Sequence, residues 1–424
     1  MHISSEQNNS HISIVYTVFV ASLPLISVYA SGIEGFSLGD LLLIFFFFVR
    51  LFDAINTKTL MINERTLVLL PLIIAIPSIS MISVLRQSNV DVYPIIIRIV
   101  RRLFYYLSVV IVSGNWFVEH WCEKTMLALG KVGAVYLFLQ YLAYYRFHVV
   151  LHGYLPFLKV YHEYYSQIDY QQLYATMFRP TSFLLEPAHM SRYLIISLSV
   201  ALFGRVEKNR WFWAIVISIA IFASTSGIGL MSCLMVWFIW LLAGRYGKND
   251  KRIPAYYIFI YIAIVITGII ALNNSVIQLS LYRITNSNLS DVNTAGGARF
   301  RGFMQYFNLD VFGKMFGMGY GSTPNTVLST WFSGASYMLY GTGIIGLLVC
   351  LIMFINLYIN SRSRLAKVLC VIFFFLFIVD DCFMSNISIL YLSMICFSDD
   401  NIVYEVDTNE DSFLNRHMVS KNDC

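Results

Sequence analysis

Apolar runs of membrane-spanning length follow one another along almost the whole chain, at residues 12–30, 38–54, 66–85, 94–113, 125–145, 188–204, 211–226, 227–244, 254–272, 335–359, 368–379 and 382–397. A helix needs about 20 mostly apolar residues to cross a bilayer. The pattern therefore predicts an all-α integral membrane protein of about twelve transmembrane helices. The links between the runs orient it. Lys and Arg gather at 50–65, 205–210, 245–252 and 360–367, whereas the short links around Glu34, Thr225 and Asp380 carry neither. Positive charge marks cytoplasmic loops, so these four links and both termini are expected in the cytoplasm. Residues 1–397 then form one polytopic membrane domain, and 398–424 an acidic cytoplasmic tail. Two links on the opposite side are long, about 146–187 and 273–334, and long loops usually carry a function. The first run ends Val28-Tyr29-Ala30, as a signal-peptidase site would, but no Lys or Arg precedes it; an uncleaved first span is expected.

Composition sharpens the class. The chain is 58% hydrophobic and 12% charged, against about 45–50% and about 25% in a soluble domain. A soluble globular protein is excluded, and no polar low-complexity block supports disorder. The net charge of +5 does not indicate a nucleic-acid partner, because the 29 Lys and Arg are scattered between apolar runs rather than gathered on one basic face. The seven cysteines lie almost all in or beside apolar runs, without a CxxC pair or a His at metal-ligand spacing. They read as small apolar residues, and no metal is expected.

Three clusters carry candidate chemistry. Arg98, Arg101 and Arg102 sit in an apolar span at spacings of three and four, which suit one helix face. Each costs about 2.5–3.5 kcal/mol at mid-membrane, so a compensating anion is expected; snorkelling to headgroups, or pairing with Asp91 or Glu34, is the alternative. The segment from Arg179 to Arg192 holds Glu186 just before Pro187. Glu186 is either a helix-end residue favoured by the dipole or a carboxylate for substrate. His189 and Arg192 follow on the next turn, with no second His at zinc-site spacing. In the second long loop, residues 296–307 read as an amphipathic helix on the membrane surface, with Phe300, Phe303 and Phe307 on one stripe. Residues 317–322, Gly-Met-Gly-Tyr-Gly-Ser, superficially resemble a phosphate loop. No strand precedes them, so turns and close packing are expected.

With two long outer loops around a central group of spans, the Arg179 to Arg192 segment with Phe183 and Glu186-Pro187, the Thr225-Ser226-Gly227 hinge, the Arg299 region leading to Gly317–Gly321, and Gly343-Ile344-Ile345-Gly346, the chain resembles the bacterial O-antigen polymerase family, within the O-antigen polymerase and ligase superfamily. The resemblance implies a membrane glycosyltransferase of lipopolysaccharide biosynthesis. It would transfer a glycan from undecaprenyl pyrophosphate to a lipid-linked repeat unit at the periplasmic face of the inner membrane, using no cofactor, nucleotide or metal. A chain-length regulator protein is the implied partner. In that reaction Glu186 would take the acceptor proton, with Glu163, Asp169, Asp291 and Asp310 as rivals. Arg179, Arg283 and Arg299 would stabilise the leaving group, while Arg98, Arg101, Arg102, Arg192 and Arg283 would bind substrate. Ligases of the superfamily resemble His, a small polar residue, nine residues, then Gly-x-x-Gly. Here the register reads Phe332-Ser333, nine residues, then Gly343-Ile344-Ile345-Gly346, and Phe332 in place of His disfavours a ligase. A lipid-linked oligosaccharide flippase is the alternative of another class. It calls for polar residues along several spans and two similar halves, and no convincing repeat between halves is found.

Overall fold

The computed structural model describes residues 3–33, 35–58, 62–87, 92–161, 178–205, 210–246, 295–322, 332–399, 402–403 and 419–420. These are helical throughout, apart from the links and a two-residue pairing of Ile402–Val403 with Val419–Ser420. Helices occupy every predicted run except 254–272, which lies outside the described residues. In chain order they are α1 (Ile3–Ile26), α2 (Leu38–Thr57), α3 (Leu70–Arg86, after a 3-10 turn at Glu64–Leu69), α4 (Val92–Leu107), α5 (Glu119–Phe147), α6 (Pro187–Phe203), α7 (Arg210–Ala223) and α8 (Gly227–Tyr246). After 247–294, outside the described residues, come α9 (Ala295–Phe307), α10 (Val311–Phe316), α11 (Gly334–Asn360), α12 (Arg364–Val379) and α13 (Ile387–Phe397).

Among the described residues, three helical stretches are long and apolar enough to cross a membrane, Glu64–Arg86, Glu119–Phe147 and Gly334–Asn360, and four shorter helices are also apolar. Their outward faces are apolar too. On α2, Phe45, Phe48, Phe52 and Ile55 are each at least 60% exposed, and Leu348, Ile352, Ile355 and Ile359 form a similar stripe on α11. Water would not tolerate apolar stripes of this extent on a monomer. They suit a helical membrane protein.

A largely apolar helix without a distinct polar face goes to the middle. From Met190 to Leu202 every residue of α6 is buried, and α6 packs against α5, α7 and α8. Three departures from uniform spans shape the surroundings. The run at 94–113 begins as α4 but passes into a π turn at Ser108–Ser113, where the Gly114 N–H reaches back to the Val109 carbonyl. The run at 382–397 is split by polar residues. Ser385 and Ser388 donate to the carbonyls of Cys382 (2.9 Å) and Ser385 (2.7 Å), closing a short turn before α13. Finally, α11 breaks at Gly343, which has φ +66°. A side chain there would lie 2.2 Å from the Met315 carbonyl oxygen, so only glycine allows the end of α10 to press into the break.

Charged contacts collect at the two ends of the bundle. At one end Arg65 and Arg362 meet Asp399 (2.7 and 3.6 Å), the Asp399 N–H donates to Glu119 (3.0 Å), Arg50 donates to Asn115 (2.8 Å), and the Arg205 N–H donates to Glu123 (3.1 Å). The other end holds Asp40, Arg101, His189, Arg192, Asp380 and Asp381. There, residues 28–30 after α1 are stitched to the first long loop: the Ala30 N–H donates to Lys159, and the Tyr161 N–H to Val28, both at 2.8 Å.

Candidate functional site

Arg192 lies two turns into α6 with 4% of its surface exposed. A guanidinium stays charged, so burial demands a countercharge. The link after α12 supplies two: one Nη1 donates to Oδ1 of Asp380 and, at 2.5 Å, to Oδ1 of Asp381. The carboxylates differ. Asp380 is 2% exposed and also accepts the Cys382 N–H at 3.0 Å, whereas the Asp381 side chain is 47% exposed. Desolvation at this wall pushes the Asp381 carboxyl up, but Arg192, and then His189, outweigh it and hold the group well below the usual carboxylate range.

Asp381 and Arg192 line a cavity of about 280 Å³, with Asp40, Arg101, Tyr105, Tyr161 and His189 among the other walls. Asp40 is fixed by a capping box at the start of α2, exchanging hydrogen bonds with Ser37, and accepts the Tyr105 hydroxyl at 2.6 Å. Arg101 donates to the Gly35 carbonyl at 3.1 Å and to Tyr161. Glu186 lies in the chain between the lining residues Leu185 and His189. It occupies the N-cap position of α6, but its side chain does not cap; its carboxylate lies 3.7 Å from His189 Nε2.

Arg179 stands apart from this cavity. Its Nε donates to the Thr225 hydroxyl at 3.0 Å, joining the segment before α6 to the hinge between α7 and α8. Buried Gln140 on α5 ties the same segment down, accepting the Ser182 N–H (2.8 Å) and donating to the Leu151 carbonyl (2.8 Å). The arginine triplet divides. Arg98 donates to the Gly321 carbonyl at 2.5 Å. Arg102, 4% exposed, donates to the Tyr320 hydroxyl (2.8 Å) and the Phe383 carbonyl (2.6 Å). Only Arg101 of the three lines the cavity.

The glycine loop is a packing device, as expected. Gly317, Gly319 and Gly321 all have positive φ, and the N–H groups of Met318 and Gly319 donate to the carbonyls of Tyr340 and Gly341, both at 2.9 Å, where α11 breaks. Between them Tyr320 plugs into the bundle, its N–H on the Ser80 hydroxyl at 3.0 Å and its own hydroxyl under Arg102. Arg102→Lys keeps the charge but loses this fork. Charge-assisted hydrogen bonds contribute about 1.5–3 kcal/mol each, so the variant is expected to lose about 2–4 kcal/mol of stability, read as a lower melting temperature in detergent.

Of the remaining candidates, Arg299 lies on α9, but its side chain, like that of Phe300, is outside the described residues. Phe303 packs on the core and Phe307 is 64% exposed. Arg283, Glu163, Asp169, Asp291, Glu34 and Asp91 lie outside the described residues. Asp310 caps α10 through the Gly313 N–H (2.9 Å) and pairs with Arg86 (2.5 Å); these hydrogen bonds hold its carboxyl below the usual range. Phe332 is 3% exposed and packs edge-on against Tyr340. Sequence reading missed Asp381. No family model matches the chain, and no curated protein matches it either.

Proposed function

We propose that the chain polymerises undecaprenyl-pyrophosphate-linked repeat units into O-antigen or a similar surface polysaccharide, as a twelve-span glycosyltransferase of the bacterial inner membrane with its active site facing the periplasm. The observation that carries this reading is the cavity. In a molecule of apolar outer stripes, carboxylates, arginines and tyrosines from α2, α4, α6, the first long loop and the link after α12 converge on one small hollow. That hollow lies at the end opposite the basic links, which the positive-inside rule assigns to the cytoplasm.

In the proposed reaction the acceptor hydroxyl oxygen bonds to the anomeric carbon of the donor. The bond from that carbon to the pyrophosphate oxygen breaks, its electron pair leaves with undecaprenyl pyrophosphate, and the hydroxyl proton passes to Glu186. Charge builds on the leaving group, where Arg179, Arg283 and Arg299 are the proposed stabilisers. A preorganised donor aimed at developing charge contributes about 2.7–4 kcal/mol.

Membranes carrying the protein, supplied with defined lipid-linked repeat units, are expected to produce a glycan ladder. A single addition to a different lipid acceptor would instead establish a ligase, and movement across the bilayer without new bonds a flippase. Reporter fusions after Asn249 and after Asn288 are expected on opposite sides of the membrane; finding both on one side ends the twelve-span topology.

A further inference from the structure

The charges around the cavity do not suit the anionic end of the proposed substrate. Arg101 and Arg192 line it, and Arg102 lies behind Met384 on its wall. Against these three cations stand four carboxylates: Asp40 and Asp381 on the walls, Asp380 behind Arg192, and Glu186 beside His189. Arg192 is already held by two of them, and Arg102 by Tyr320 and Phe383. Arg101 donates to the Gly35 carbonyl and to Tyr161, and a pyrophosphate reaching it would lie among the carboxylates of Asp40 and Asp381 on the same walls, at a cost that a low-dielectric wall magnifies.

The same lining suits a neutral, hydroxyl-rich ligand. Sugar hydroxyls donate well to carboxylates, their ring faces pack on aromatic rings, and the walls offer Asp381 with the rings of Tyr105 and Tyr161. At about 280 Å³ the space sits just under the range of small-ligand pockets, about 300–1,000 Å³. It suits one terminal sugar rather than a whole repeat unit. Within the wall the paired aspartates divide the work. Buried Asp380 balances Arg192, and Arg192 in turn holds the half-exposed carboxylate of Asp381 on the cavity wall.

Building on the polymerase reading, we propose that this cavity binds a terminal sugar of the lipid-linked substrate, with Asp381 accepting a hydrogen bond from a sugar hydroxyl and Asp380 and Arg192 acting as positioning residues, while the pyrophosphate binds elsewhere. The test uses purified full-length protein in detergent, titrated by equilibrium dialysis with two probes: the oligosaccharide released from the lipid-linked repeat unit, and inorganic pyrophosphate. Asp381→Asn is expected to weaken oligosaccharide binding about tenfold or more, Asp381→Glu to restore part of it, and neither to weaken pyrophosphate binding. In polymerisation assays Asp381→Asn raises KM by a similar factor and leaves kcat within about twofold. A purely structural role would instead lower the melting temperature and depress both probes together. Absence of oligosaccharide binding by the wild-type protein, equal binding by wild type and Asp381→Asn, or competition between the two probes overturns the proposal. A wild-type protein that yields no glycan ladder overturns the polymerase reading whatever the dialysis returns, so the two failures are distinguishable.

Discussion

Arg192→Met is expected to lower the stability of the detergent-solubilised protein by about 3–5 kcal/mol, the usual cost of removing one partner from a buried ion pair. The loss does not come chiefly from the bonds Arg192 makes. Asp380 is 2% exposed, and without the guanidinium its charge is left in a site that water does not reach. The double variant Arg192→Met/Asp380→Asn, which removes the stranded charge, is therefore expected to be more stable than Arg192→Met alone. Thermal melts of the three proteins check this, and a double variant no better than the single one rejects it. Acid adds a second handle. The Asp381 carboxyl is lowered in the folded state, so its contribution is complete above the unfolded value of about 3.9 and is lost only as pH falls through the folded value. Between pH 8 and 5 this group leaves the wild-type melting temperature unchanged. In Arg192→Met the main cause of the lowering is gone, and the acid limb becomes shallower.

The helices were legible because a span announces itself by length and apolarity alone, and runs such as 125–145 and 335–359 leave no other option in lipid. Their interruptions were not legible on the same grounds. The break at Gly343 depends on Met315 and Phe316, which press on it from the end of α10, and nothing near Gly343 in the chain records them. The arginine triplet shows where spacing arguments stop. Residues advance about 100° per position around a helix, so Arg98 and Arg102 share a direction, toward the glycine loop, while Arg101 turns toward Asp40 and Tyr161. Adjacent arginines cannot share one face. Asp381 was hidden for a related reason, since no local motif links it to a residue 189 positions earlier. A physical signal was nevertheless present. Arg192 sits early in a largely apolar helix that is buried from Met190 to Leu202, a place that obliges some carboxylate to come to it. Asp380 and Asp381, adjacent acids between two apolar runs, were suited to that need.

In the proposed reaction Glu186 is the base, so Glu186→Gln is expected to leave a folded protein that polymerises at least about a hundredfold more slowly, because general-base assistance contributes about 10²–10⁴-fold. The structure narrows what else Glu186 is for. A carboxylate that merely capped α6 would accept N–H groups of the first turn. This one does not, and instead faces His189, a residue of the cavity wall, at 3.7 Å with 21% of its side chain exposed. Its rival Asp310 is tied to Arg86 and to its own helix. Asp381, which lines the cavity, is held so far down by Arg192 that it accepts hydrogen bonds well but protons poorly. Gln keeps the size of the side chain and an acceptor oxygen while removing its basicity, so sugar binding should change little and turnover should fall. The measurement is turnover of Glu186→Gln beside Arg299→Ala at equal folded concentration, with the pH profile of each. If the Gln variant keeps near-native turnover while Arg299→Ala is dead, the reaction proceeds by leaving-group stabilisation without a base at this position, and Glu186 serves only to hold His189 at the cavity mouth.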